Sequence, residues 1–321
     1  MKEVVFIKRN IDRWNKFEAL IETKTGEDPD TLASMFIQIT DDLAYSRTFY
    51  PNSDTTRYLN QLAANTHLKI YKNKKEDRSM IKKFWKEDFP LVIYQSHKFI
   101  FISIVCFIVA VAIGAFSASE DVDFVRLILG DDYVDMTLQN IEKGDPMAVY
   151  KQAFEVDMFL GITLNNIRVS FYAFVWGMLG SVGTILVLLF NGIMLGSFQY
   201  FFFEHGLMLE SVLTIWIHGT LEIFAIIVAG AAGLILGSSF LFPATFSRLY
   251  SFKKGATRGL RIIIGIMPLF IVAGFLEGFV TRHTEAPYVL RAGIILASLA
   301  FIIWYFYFYP IKIAKKFKES A

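Results

Sequence analysis

Phe99–Phe116 reads FIFISIVCFIVAVAIGAF and Val169–Phe190 reads VSFYAFVWGMLGSVGTILVLLF, and neither stretch contains a charged residue. As helices rising 1.5 Å per residue, both are long enough to cross the ~30 Å hydrocarbon core of a bilayer. Ile223–Phe242 and Ala292–Phe308 qualify on the same ground, and so does Ile262–Val280 if Glu277 lies near its end. These runs imply an all-α, polytopic membrane protein. The composition agrees: 54% of residues are hydrophobic and 16% aromatic, and a mean hydropathy of +0.44 lies beyond what a soluble domain carries.

Outward from these runs, the distribution of charge sets the topology, because basic residues accumulate in short cytoplasmic flanks. Between Lys72 and Lys98 there are eight Lys or Arg and four acids, whereas Ser117–Asn166 has ten acids and three bases. Pro243–Arg261 has five bases and no acid, and the tail after Pro310 has four lysines and one glutamate. The first, third and fourth flanks belong inside and the acidic one outside. The region Asn191–His218 holds only a short apolar stretch, Ile193–Phe203, and reads as a re-entrant pair or a short, broken span. The charge pattern requires the chain to cross out and back there, so it counts as a crossing. Six spans are expected, near 97–117, 168–190, 192–210, 216–242, 261–281 and 289–309, within a membrane domain of 91–321 that carries an acidic external segment at 118–167. The expected location is the cell membrane, multi-pass, with both termini cytoplasmic.

Residues 1–90 precede the membrane part without the apolar run and cleavage site of a signal peptide. Helical periodicity recurs three times, in Ile7, Ile11, Trp14, Phe17 and Ile21, then Leu32, Met35, Phe36, Ile39 and Leu43, then Tyr58, Leu59, Leu62 and Ile70. Asp28-Pro29-Asp30 and Tyr50-Pro51-Asn52-Ser53 separate them, so a cytoplasmic three-helix bundle is expected. Met80, Ile81, Phe84, Trp85 and Phe89, interleaved with lysines, read either as an amphipathic helix on the inner leaflet before a turn at Pro90, or as a continuation of the bundle. The single cysteine, Cys106, excludes an intramolecular disulfide and a Cys-based zinc cluster, and a net charge of +2 gives no ground for nucleic-acid binding.

Polar residues at membrane depth normally face a bundle interior and pair with something. His218 and Glu222, in HGTLE, stand four apart on one helix face, which makes His218 the nearest partner for Glu222. Asn191, opening NGIMLG at the expected break between the second and third spans, is either a hydrogen-bonding group at a helix end or a turn residue. Glu277, Asn165, Asn166 and Arg168 stand near outer span ends, where Arg168 can act as an interface anchor. A zinc site at HGTLE would need a third ligand such as Glu277 or His205, and HExxH is absent. A serine hydrolase would need an activated serine, and Ser181 lacks a GxSxG elbow. No catalytic group, metal or cofactor is therefore expected, and the remaining reading is a buried polar pair that holds helices together or lines a solute or proton path. Gly192 and Gly196, Gly233 and Gly237, and Gly274 and Gly278 form small-xxx-small pairs, which imply close helix packing and leave room for a homodimer contact.

The series NNIRVSFYAFVWGMLGSVGT, NGIMLGS, HGTLEIFAIIVAGAAGLILG, FPATFSR and FLEGFVTR, over Asn165–Arg282, resembles the stage II sporulation protein M family of bacterial and archaeal membrane proteins. SRTFYPNS at Ser46–Ser53 is similar to the soluble extension of its longer members. The family pattern singles out Asn165, Asn166, Asn191, Gly192, His218, Gly219, Glu222, Pro243, Arg248 and Glu277. The family is named for a component of the spore engulfment machinery that works with cell-wall-degrading partners, so the resemblance implies a membrane subunit of an envelope-associated complex. Two functions are expected from this. The first is a non-enzymatic scaffold whose partners are the lipid bilayer and other envelope proteins. The second is a transporter or permease that uses His218, Glu222, Asn191, Glu277, Asn165, Asn166 and Arg248 as a polar cluster.

Overall fold

The computed structural model describes residues 2–22, 29–72, 78–151 and 154–319, with side chains omitted for 20–22, 29–33, 66–72, 78–79 and 122. It forms two compact units, Met1–Ile81 and Lys82–Ala321, helical throughout and without a strand among the described residues.

The first unit contains α1 (Glu3–Glu22), α2 (Pro29–Phe49) and α3 (Asp54–Lys72). Its core draws on the expected stripes, with Trp14 and Phe17 meeting Ile39, Leu43, Leu59 and Leu62, and adds Phe6 and Ala63, which those stripes did not include. The side chains of Ile21, Leu32 and Ile70 lie outside the described residues. Trp14 is 1% exposed, and its indole N–H donates to Asp42 at 2.8 Å, so the one polar atom of the ring stays satisfied. SRTFYPNS forms the α2–α3 connection, where Ser46 and Thr56 hydrogen-bond each other and the Thr56 hydroxyl donates to the Tyr50 carbonyl at 2.8 Å.

The second unit has six helices long and apolar enough to cross a membrane, which makes the chain a six-span integral membrane protein. The first begins at α4 (Arg78–Lys83) and passes through a π-helical turn at Phe84–Asp88 into α5 (Phe89–Glu120). The last joins α12 (Tyr288–Ile303), a π turn (Trp304–Phe308) and α13 (Tyr309–Glu319). Between them run α8 (Glu155–Val175, extended by a 3-10 turn to Met178), α9 (Val182–Glu204), α10 (Met208–Leu241) and α11 (Arg248–Phe275, continued as a π turn, Leu276–Thr281). Buried residues fill 72% of the apolar window of α10, against 17–33% for α5, α8, α9 and α12, so α10 is the central helix and meets protein on nearly every side. Its AGAAGLILG run follows from that position, since only small residues let neighbouring backbones close in all round.

Three expectations change. The chain does not turn at Pro90, which stands inside one continuous helix directly after the π-helical turn, the irregularity that accommodates its missing N–H. Trp85 donates from its indole to the Gly265 carbonyl at 3.3 Å, and the Tyr305 and Tyr309 hydroxyls donate to the carbonyls of Trp85 and Lys86 at 2.7 and 2.9 Å. Phe89, fully buried, lies over Gly265, so Trp85–Phe89 packs into the bundle, and the two compact units divide at Ile81, not near residue 90. The second and third crossings run over 155–178 and 182–204, not 168–190 and 192–210. The reversal falls at Gly180 and Ser181, both with positive φ (60° and 71°), inside the longest uncharged run of the region. Asn191 is consequently in the middle of an unbroken α9, at no break, and its side-chain amide donates to the Val187 carbonyl at 2.8 Å.

The acidic segment is itself folded. Asp121 caps α6 (Val122–Leu129) by accepting from Asp123 N, Gly130 turns the chain at φ 88°, and α7 (Asp131–Glu142) follows. A 3-10 turn at Ala148–Lys151 leads toward α8. Val125, Val134 and Met147 pack with Phe201, Phe202 and Ile215, so α6 and α7 cover the α9–α10 end of the bundle.

Candidate functional site

Beneath that cover a cavity of about 410 Å3 lies between α8, α9 and α10, with α6, α7 and the 3-10 turn contributing Leu129, Tyr133 and Tyr150 to its wall. Its polar wall comprises Asn165 and Asn166 from α8, Asn191 from α9, and His218 and Glu222 from α10. Gly219 borders the cavity, and the place its Cβ would take lies in ordinary contact with Ile223 at 3.7 Å and Ile215 at 3.9 Å. Asn165 and Met194 are exposed at the rim.

Three helices hold the innermost groups. His218 is 5% exposed on α10. Its Nε2 lies 3.6 Å from Glu277 Oε2, and its Nδ1 3.0 Å from Thr281 Oγ1. The expected pairing with Glu222 is therefore corrected: i,i+4 spacing puts both groups on one face, but Glu277 and Thr281 arrive from the π turn after α11 and face the imidazole more directly. Asn166, 6% exposed on α8, stands beside Glu222 in the cavity wall. One ligating atom from each of His218, Glu222 and Glu277 lies within 4.8 Å of the others.

Glycines bring these elements together. A Cβ at Gly274 would strike Thr163 Oγ1 on α8, and one at Gly278 would stand 2.9 Å from the Glu155 carbonyl and 3.2 Å from Phe159. The π turn that carries Glu277 can thus lie against the helix that carries Asn166, and Arg282 adds an ion pair to Glu155 at 2.6 Å. Gly192 and Gly196 admit Ala110, Phe107 and Val111 of α5, while Gly233 and Gly237 admit Ala173, Thr184 and Ser181. All six glycines meet other helices of the same chain.

Tyr150 stands over the site with its ring centroid 5.9 Å from that of His218. Burial, and after it the charge of Glu277, push its phenol well above the usual tyrosine range, so it remains a neutral O–H. Tyr150 and Thr281 were not legible as site residues, because their contacts depend on long-range packing. The nearest signal for Thr281 was its place in FLEGFVTR, one turn beyond Glu277.

Other expected groups lie elsewhere. Arg248 is exposed at the start of α11, beside the capping Ser247, and 29 residues of helix put it roughly 44 Å from Glu277, so it leaves the cluster. Ser181 donates to the Leu234 carbonyl, roughly 24 Å along α10 from His218, too far for a nucleophile and its base. His205 faces the Phe201 carbonyl at 2.8 Å near the end of α9. Arg168 is exposed on α8.

No curated protein and no solved structure matches the chain significantly. A model described as a domain of unknown function, DUF8413, matches residues 4–72. The model described as Stage II sporulation protein M matches residues 103–282, a span that contains Asn166, Asn191, His218, Glu222, Glu277 and Thr281. With more than half of its length in that match, the chain belongs to the stage II sporulation protein M family.

Proposed function

We propose that the membrane unit is a non-enzymatic solute- or ion-handling permease, in which His218, Glu222, Asn166 and Asn191 form a binding station at membrane depth. The observation that carries this reading is the cavity itself. Buried carboxylates and imidazoles at this depth are costly, and a set of them facing an open volume, not a packed interior, is the arrangement of a solute path. A pair that only tied helices together would have no use for the adjoining space.

The test is flux in proteoliposomes, read with a trapped pH-sensitive dye for protons and a trapped fluorescent chelator for Zn2+. Wild-type protein is expected to pass at least one of them. Glu222→Gln, which keeps the shape but removes the ionisable group, is expected to abolish flux with little change in melting temperature. Equal flux in empty liposomes and in those holding wild-type protein would sink the reading.

A second reading, a scaffold for envelope-associated partners, is favoured by one separate observation: Met1–Ile81 is a compact unit with its own core. The name of the family, taken from sporulation, points the same way. Deleting residues 1–81 would then remove the cellular phenotype, while Glu222→Gln would leave it intact. The permease reading requires the reverse for Glu222→Gln.

A further inference from the structure

We infer that His218, Glu222 and Glu277 form a site for one divalent transition-metal cation of the Zn2+ class, held between α10 and the π turn after α11. The inference deepens the solute-binding reading and rests on the same polar station.

The argument starts from a count of protons. The Thr281 hydroxyl has one, and it is donated to the Leu276 carbonyl at 3.1 Å. Both Thr281 contacts are hydrogen bonds in one arrangement, with the hydroxyl donating to Leu276 and accepting, at 3.0 Å, from an imidazole proton on His218 Nδ1. Nε2 is left with a bare lone pair aimed at Glu277 Oε2, 3.6 Å away. With Glu222 completing the group inside 4.8 Å, an imidazole nitrogen and two carboxyl groups converge, and each carboxyl offers a lone pair once its proton is released. A cation resolves such a convergence. The fixing of a ligand histidine through its second nitrogen, here by Thr281, is also what metal sites use to orient the ring.

Charge gives the same answer. Two carboxylates stand at membrane depth, and among the described residues neither forms an ion pair with a lysine or arginine; the nearest arginine in sequence, Arg282, is engaged by Glu155. One divalent cation neutralises two carboxylates, whereas leaving them bare would be expensive. Distance permits it. Ligands at about 2.0–2.2 Å from a Zn2+ ion lie roughly 3.3 Å from one another, so the 3.6 Å pair is nearly in place. Glutamate carboxyls turn freely about their last bond, which closes the remainder.

The class of ion follows from the donors. An imidazole with two carboxylates suits Zn2+ and its first-row neighbours, while Mg2+ and Ca2+ prefer all-oxygen shells. Three protein ligands leave a fourth position, and because His218 and Glu222 both border the cavity, that position opens into it.

The experiment uses the full chain in nanodiscs, stripped with a chelator, dialysed and titrated calorimetrically with Zn2+ and separately with Mg2+. One Zn2+ per chain and no measurable Mg2+ binding are expected. Glu277→Gln is expected to lose the site, and Thr281→Val, which touches no ligand atom position, to weaken it by about 10–100-fold. His205→Ala should bind as wild type does, which separates the site from adventitious histidine binding. Absence of Zn2+ binding, or equal binding by wild type, Glu277→Gln and Thr281→Val, overturns the inference. Loss of binding in His205→Ala overturns it as well. Proton flux that persists in metal-free buffer alongside absent Zn2+ binding would end the metal inference and keep the permease reading. One tightly held Zn2+ with no flux of either probe would do the opposite.

Discussion

At the scale of single residues, the bundle depends on places where a side chain has been left out. Gly196 on α9 faces the backbone of α5 so closely that an added Cβ would strike the Val111 carbonyl and come within 2.8 Å of Ala115 N. Backbone cannot move aside as a flexible side chain can. Gly196→Ala is therefore expected to destabilise the protein by about 1–3 kcal/mol, the usual range for overpacking. Gly293 on α12 is the control, since nothing lies within 4 Å of its Cβ position. Gly293→Ala should leave the melting temperature unchanged or raise it, because glycine inside a helix is the poorer former. Thermal unfolding of both variants in one detergent checks the pair, and equal melting temperatures would mean that α5 and α9 are not packed as described. The glycine spacing was legible in the sequence. Which helix each glycine admits was not, because a small-xxx-small pattern specifies closeness without naming a partner.

At the scale of elements, Val169–Phe190 shows why an apolar run can mislead. Its residues cross nothing as a unit: α8 ends by Met178, the chain reverses at Gly180 and Ser181, and α9 begins at Val182. Hydropathy registers no break there because LGSV is hardly less apolar than its flanks, whereas the reversal is a matter of positive φ, which glycine adopts readily. The true second span extends back over Glu155, Asp157, Asn165, Asn166 and Arg168, and its polar residues made it look external. Among the N-terminal elements, residues 1–81 expressed alone are expected to give a helical circular dichroism spectrum and a cooperative melt, since Trp14, Phe17 and Leu59 already bury one another. The same fragment supplies a pH test. Burial and the hydrogen bond to Glu18 raise the Tyr58 phenol from 10.0 to about 12. A folded-state value above the unfolded one gives stability that is present below about pH 10 and is lost as pH rises toward 12. Melts between pH 9 and 12 should show this loss, and Tyr58→Phe should flatten it; an unchanged slope would place Tyr58 outside the α1–α3 contact.

At the scale of the whole molecule, six crossings return Lys82 and Glu319 to one end of the bundle, with α6 and α7 covering the other. We propose that the first end is cytoplasmic, from the excess of lysine and arginine in its flanks. Tags at Met1, Lys253 and Ala321 should then be reachable only from the cytoplasm and a tag near Gly130 only from outside; external labelling at residue 253 would refute this orientation. The chain's sequence by itself determined that it is helical, that it crosses a membrane six times and that it belongs to its family. Hydrophobic length, charge asymmetry and motif order are properties of the chain read in one dimension, and the bilayer leaves an apolar run few alternatives to a helix. Only the tertiary structure decided that α9 is unbroken, that Arg248 lies far from the polar cluster and that His218 meets Glu277 and Thr281. Residues 218 and 281 are 63 positions apart, and their contact exists because Gly274 and Gly278 let the π turn settle against α8 while α10 occupies the centre. That is a property of packing in three dimensions, which no spacing within one helix encodes.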